Sequence, residues 1–348
     1  MEKGGDTLKN RALTVLLTTA LFVASFVAIF KITPANAPPG GVVWTVPGAF
    51  PTLEATINSG LVINNDEIHI LPSHMEALTG PLVIPQNNLW IIGPPPGLGP
   101  IPMINVNGFG ITILGANVFM WGLDIFDPIG ISSPILALAP SSVNSLIMNN
   151  VITGAAPPNI GIIIAGMNNI VELNTISTCG ICIQVLGPAS GNSIRLNTIN
   201  PPLMMGIQVT GMAGAPMPNY MYWNNMFAPP EFVDTGPPGA PNFFDDTSGG
   251  GPGFNKGNFW VTMPPAPAPI PGPNGWLDWF PQPVPMMQLQ GDINVDGQVD
   301  IFDIVIVGTN FSRVWCTLGW DPRADLNGDG IVDIFDIVVI ALNFSASY

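Results

Sequence analysis

Asn150-Val-Ile152, Asn174-Thr-Ile176, Asn197-Thr-Ile199 and Asn225-Met-Phe227 are four copies of one short phrase, spaced 24, 23 and 28 residues apart. A second kind of run stands between them: Gly110-Ile-Thr-Ile-Leu-Gly115, Gly161-Ile-Ile-Ile-Ala-Gly166, Gly180-Ile-Cys-Ile-Gln-Val185 and Gly206-Ile-Gln-Val-Thr-Gly211. Each run is short and rich in β-branched residues, which suits a strand and is too brief for a helix. A period in the low twenties, held over about residues 105–227, marks a repeat architecture. One arrangement satisfies it. Each period makes one turn of a solenoid, equivalent strands stack in parallel, and every backbone group pairs with the coils above and below. The recurring Asn then stacks on itself at a turn, where its amide bonds neighbouring backbone and tolerates left-handed geometry.

The flanks extend this reading. Phe50-Pro-Thr-Leu-Glu-Ala-Thr-Ile57, Asp66-Glu-Ile-His-Ile-Leu-Pro72 and the run Pro81–Gly93 resemble the opening of the pectin-lyase-like superfamily. The resemblance implies a short helix that covers the first coil, so that the solenoid does not end in an open apolar edge. Pro241-Asn-Phe-Phe-Asp-Asp-Thr-Ser248, Gly257-Asn-Phe-Trp260 and Asp278-Trp-Phe-Pro281 are similar to the terminal coils of NosD-like proteins. The expected fold is therefore an all-β right-handed parallel β-helix, followed by a small α-helical calcium-loop module. Within it the proline-rich stretch Pro264–Pro273 is expected to form, in part, a strand-like end cap. The domain reading is 1–37 export segment, 38–281 β-helix, 282–290 Pro-rich linker and 291–348 C-terminal module.

That module carries one sentence twice. Asp292, Asn294, Asp296, Gln298, Asp300 and Asp303 recur 33 residues later as Asp325, Asn327, Asp329, Ile331, Asp333 and Asp336. These are positions 1, 3, 5, 7, 9 and 12 of a twelve-residue loop, with Gly297 and Gly330 at position 6. Calcium needs six to eight oxygen ligands, and such a loop supplies them from side chains and from the carbonyl at position 7. An apolar stretch follows each loop but does not precede the first, where Gln282-Pro-Val-Pro285 stands. Loop-then-helix in duplicate resembles the type I dockerin family over about residues 291–345. The resemblance implies two Ca2+ ions and attachment to a cohesin-like or other surface protein. It places partner contacts at loop positions 10 and 11, here Ile301, Phe302, Ile334 and Phe335. A small polar pair is the familiar pattern there. The apolar pairs point to a more apolar partner or to packing of the module on its own chain.

Composition narrows the partners. The 348 residues carry 8 Lys and Arg against 23 Asp and Glu, so clustered cations for a phosphate backbone are missing and nucleic acid is excluded. Apolar residues make up 47% and charged residues only 9%, which favours a folded β protein over disorder. Lys3, Lys9 and Arg11 precede the apolar run Ala12–Phe30, and Ala35-Asn36-Ala37 offers a small-residue cleavage site. The run reads as a cleaved signal or an uncleaved anchor; a membrane is involved only in the second case. Either way the rest of the chain is extracellular or at the cell surface, where calcium is abundant.

Catalytic chemistry has few carriers. Asp124, Glu172 and Arg195 are the candidates for a polysaccharide lyase, hydrolase or epimerase, provided that they meet on one face. Glu172 and Arg195 each stand two residues before a ladder Asn, which makes them stacked neighbours and an outward ion pair; Asp127 is read as capping a turn. His69 and His74 with Glu67 or Glu76 are candidates for a metal, and Met204, Met205, Met212, Met217, Met221 and Met226 for copper(I), as in a NosD-like maturation role. Cys179 and Cys182 read as core or turn cysteines, and Asn310 and Asn343 head glycosylation sequons. The leading expectation is a non-catalytic β-helix for adhesion, carbohydrate contact or surface assembly, with the carbohydrate-active enzyme and copper delivery as alternatives.

Overall fold

Three-residue strands bury too little to stand as hairpins, so their pairing has to come from the next coil. In the computed structural model they pair in that way. It describes residues 41–347, except 131–133, 156–158, 201–203, 211–216, 228–231, 236–241, 244–257, 261–267, 271–276, 279–281 and 283–284. The chain winds a parallel β-solenoid of the right-handed type, of about seven turns. Successive strands fall on three sheets in rotation: sheet I with nine strands from Val43–Val46 to Asn242–Phe243, sheet II with eight, sheet III with seven.

Register shows what fills the lumen. On sheet II, Ile104, Ile125, Ile152, Ile176 and Ile199 stand in line, all fully buried. On sheet III, Leu82, Ile111, Leu136, Ile162, Ile183 and Ile207 do the same. Sheet I contributes Ile68, Ile91, Met120, Ile147, Val171 and Ile194. Like residues stacked at strand spacing give a close-packed interior without long-range chain crossing.

The turns are held by side-chain amides. Between sheets I and II the ladder runs Asn150, Asn174, Asn197, Asn224 and Asn258; from Asn174 on, each Oδ1 accepts the backbone N–H of the Asn one coil earlier at 3.0–3.2 Å, and Asn150 Oδ1 accepts that of Leu123. The expected fourth rung, Asn225, is corrected to Asn224. Asn225 pairs in register with Thr198 and so lies on the strand itself. Just before the ladder, Asn149, Leu173, Leu196 and Trp223 are left-handed, with φ of 56°, 57°, 53° and 57°. That conformation costs a side-chain-bearing residue about 1 kcal/mol, offset here by the ladder bonds. A second ladder, missing from the sequence reading, links Asn169, Asn192, Asn219 and Asn242 between sheets III and I.

Helix α1, Leu53–Asn58, starts at the Thr52 cap and places Leu53 and Ile57 in the core at the first coil. The carboxylate of Glu76 accepts from the N–H groups of Leu53 and Glu54, at 2.6 and 3.3 Å. The C-terminal module holds α2, Ile301–Asn310, and α3, Ile334–Asn343, each opened by an Asp capping box. Residues 282–290, expected as a linker, are pinned at Met286. Asn225 and Met286 exchange two hydrogen bonds of 2.6 Å, and Met286 is buried. The export segment, Lys256, Met212 and most of Pro264–Pro273 lie outside the described residues. Among the described residues no helix is long and apolar enough to cross a membrane.

Candidate functional site

The two acidic loops fold alike. In the first, the Asp292 carboxylate accepts from Asp296 and Gly297 N–H, Asn294 Oδ1 from Asp296 N–H, and Asp296 Oδ1 from Gln298 N–H, all at 2.9–3.1 Å. Asp303 Oδ1 accepts from Ile293 and Asn294 N–H at 2.7 and 3.2 Å, and its Oδ2 from Asp300 N–H at 2.8 Å. The second loop repeats this frame through Asp325, Asn327, Asp329 and Asp336, except that Asp325 Oδ1 accepts from Gly328 N–H at 3.0 Å where Asp292 Oδ1 takes Asp296 N–H. Gly297 and Gly330 turn at φ 92° and 86°, which explains glycine at position 6. The position 7 residues, Gln298 and Ile331, have their N–H groups tied to the position 5 carboxylates.

These carboxylates are crowded, and among the described residues no ion pair reaches them. Burial, and then the charges of Asp303 and Asp296, push Asp292 up to about 7. Burial with Asp336 and Asp329 pushes Asp325 up to about 6. Among the described residues no three His, Cys, Asp or Glu side chains converge as a finished metal cluster. Asp303 and Asp336 instead turn both oxygens to backbone N–H groups. The donors fit a hard cation in kind and order, and each singly bonded oxygen keeps a lone pair for it.

The module is seated on the outer face of sheet I. Two outward columns meet it. One runs Glu67, Trp90, Phe119, Leu146, Ile170, Ser193 and Tyr220; the other runs His69, Ile92, Trp121, Met148, Glu172, Arg195 and Tyr222. Trp90, Ile92, Phe119, Trp121, Leu146 and Met148 form one buried cluster with Ile293, Val299, Val307, Trp320, Val332 and Ile340. Trp121 meets Trp320 edge-on, with centroids 6.2 Å apart at 81°. Arg323, paired with Asp321 at 2.7 Å, lies 5.7 Å over the Phe119 ring. Gly319 N–H donates to Glu67 Oε1 at 2.7 Å. Arg195 donates to the carbonyl of Val295 at 2.7 Å and, more weakly, to that of Asn294 at 3.4 Å. At the other loop, the backbone of Gly328 abuts Gly97, and Gly330 faces Leu98.

The catalytic candidates are not brought together. Asp124 lies on sheet II, in register with Met103 and Val151. Glu172 and Arg195 lie on sheet I, stacked as expected and joined at 2.7 Å, but covered by the module rather than open to solvent. Asp127 caps a turn, accepting from Gly108, Ile129 and Asn159. Each histidine is taken by a carboxylate: His69 by Glu67 at 2.9 Å and His74 by Glu76 at 2.8 Å. Met221 and Met226 are core residues, whereas Met204 and Met217 are exposed. Cys179 and Cys182 are buried in the lumen, and the Cys179 thiol beside it, then burial, raises Cys182. The Asn310 and Asn343 amides turn back to the carbonyls of Ile306 and Val339.

The positions expected to read a partner stay outside. Phe302, Ile334 and Phe335 are exposed, Phe335 by 62%, and Ile301 is half-buried. Val338, Leu342 and Phe344 are also exposed, so the module presents apolar surface away from the solenoid. Comparison with protein-family models, curated proteins and solved structures finds no match.

Proposed function

We propose that this chain is an exported, surface-held β-helix that does no chemistry of its own and joins a partner through a dockerin-like module carrying two Ca2+ ions. One observation carries the reading: the module spends one face on its own solenoid and leaves Phe302, Ile334 and Phe335, three of the four partner-reading positions, exposed. A helix apolar on all sides belongs in an interior or an interface, and exposed apolar surface of this kind marks contact sites. The ions would be held by Asp292, Asn294, Asp296, the Gln298 carbonyl, Asp300 and Asp303, and by their counterparts Asp325, Asn327, Asp329, the Ile331 carbonyl, Asp333 and Asp336. Calcium would supply the charge that these buried carboxylates lack. The partner is a cohesin-like or other surface protein with an apolar recognition face; a polysaccharide is the other candidate contact for the solenoid.

The test is retention on the producing cell. Phe302→Ser with Phe335→Ser should release the full chain into the medium while leaving its calcium-dependent fold, read by circular dichroism, intact. Retention equal to wild type would overturn the attachment reading, and a spectrum indifferent to chelator would overturn the calcium reading. Release of sugar from a polysaccharide panel, abolished by changing Asp124, Glu172 or Arg195, would establish the enzymatic alternative instead.

A further inference from the structure

The two loops differ at positions 2, 4 and 7, and the change at position 4 alters what the backbone needs. Position 4 is left-handed in both, with φ 57° at Val295 and 73° at Gly328. Glycine takes that conformation freely. For a β-branched residue it is an outlier that something must hold in place. The solenoid supplies the hold. The Val295 side chain is fully buried among Leu196, Tyr222, Trp223 and Met286. Its carbonyl takes a charge-assisted bond from Arg195 Nη1 at 2.7 Å, and Arg195 is itself fixed by Glu172 at 2.7 Å and the Tyr222 hydroxyl at 3.2 Å. Leu196 and Trp223 are in turn left-handed residues of the turn beside the Asn ladder.

We propose that the solenoid completes the first cation loop. Arg195 and the Leu196–Tyr222–Trp223 pocket hold Val295 in the conformation that the second loop obtains from Gly328, so the first loop takes its ion only while the module is seated. The second loop also touches the solenoid, at Gly97 and Leu98, but Gly328 takes the left-handed conformation unaided, so this loop binds whether seated or not. Arg195 is thus a positioning residue for the first site, acting through Val295 and not as a ligand. By linkage, an ion in the first loop tightens the seating as much as seating tightens the ion. The inference rests on the calcium reading of the loops.

Calcium titration of the full chain by calorimetry tests it, with Arg195→Lys, Val295→Gly and their combination. Wild type should show two sites. Arg195→Lys keeps the charge beside Glu172 but loses the planar fork, and should weaken one site by about fivefold or more, leaving the other within about twofold. In the Val295→Gly background the same Arg195→Lys change should have no effect, because glycine needs no outside hold. A structural role for Arg195 alone would weaken binding equally in both backgrounds, and that result overturns the proposal. A second readout uses unaltered protein, in case Arg195→Lys does not fold. Chelator should speed hydrogen exchange at the Met286 and Gly319 amides, whose acceptors lie on the solenoid, but not at Ile176 or Ile199 of the lumen. Unchanged exchange at Met286 and Gly319 with calcium bound overturns the proposal as well. Absence of calcium binding in wild type is a different failure, that of the loop reading itself.

Discussion

Replacing Trp121 by alanine separates the docked face from the solenoid core, because its neighbour in the strand stack points the other way. Trp121 is 5% exposed and lies edge-on to Trp320 of the module, 6.2 Å away. Removing a buried indole of this kind costs about 3–5 kcal/mol once the cavity is counted, of which about 1 kcal/mol is the edge-to-face pairing. The loss falls on seating, so the unseated population should rise about 150- to 4000-fold. Hydrogen exchange is the assay. The Gly319 amide, which donates to Glu67 across the interface, should exchange faster by a similar factor, and the lumen strands should not change. Ile147→Ala, one coil along on the same sheet, is the control. Its side chain faces the lumen, and its loss of about 2–5 kcal/mol should appear in Ile176 and Ile199 exchange. Equal acceleration of module and lumen amides in Trp121→Ala, or none at Gly319, would refute the two-sided account of sheet I.

Other outcomes follow from the same contacts. Asn197→Ala deletes the amide that bonds the Val171 and Arg195 carbonyls and the Asn174 N–H; orphaning these groups should cost about 2–4 kcal/mol, and a change in urea midpoint worth less than about 0.5 kcal/mol would discredit the ladder as a stabiliser. Asp303→Ala and Asp336→Ala should each remove one calcium site in a titration, with about 1 kcal/mol lost from the helix cap as well. Cys316 is half-buried, and burial lifts its thiol to about 11. At pH 8 it should therefore alkylate slowly, gaining about tenfold per pH unit until near 11 as the thiolate grows in. Cys179 and Cys182 should stay unreactive until the protein unfolds, which counting alkylated thiols by mass spectrometry will decide.

How far the sequence could be read depended on which face a strand shows to water. Sheet II alternates, as in Thr175-Ile-Ser177 and Thr198-Ile-Asn200, and its inward isoleucines were legible as one side of a solenoid. Sheet I does not alternate: Trp90-Ile-Ile92, Phe119-Met-Trp121 and Leu146-Ile-Met148 are apolar throughout and buried throughout. Unbroken apolar strands mean two covered faces, so these three strands carry the signal for a layer docked on sheet I. Without it, Glu172 and Arg195 read as a solvent-facing pair. The ladder was legible as a repeat and misplaced by one residue at Asn225, because Asn224 and Asn225 are adjacent and only the pairing with Thr198 tells them apart. The duplication of the acidic loops and of the helix after each was legible in the sequence. The difference between Val295 and Gly328 was not, since a side chain's backbone strain appears only with its surroundings.

Helix α1 has a consequence for assembly. A parallel solenoid ends in strands with unpaired N–H and C=O groups, and a second copy, identical in pitch, is the natural object to add there. Leu53 and Ile57 fill the lumen at that end, and Glu76 secures the helix that carries them. The lumen at that end is therefore closed by a helix instead of standing open to a second copy.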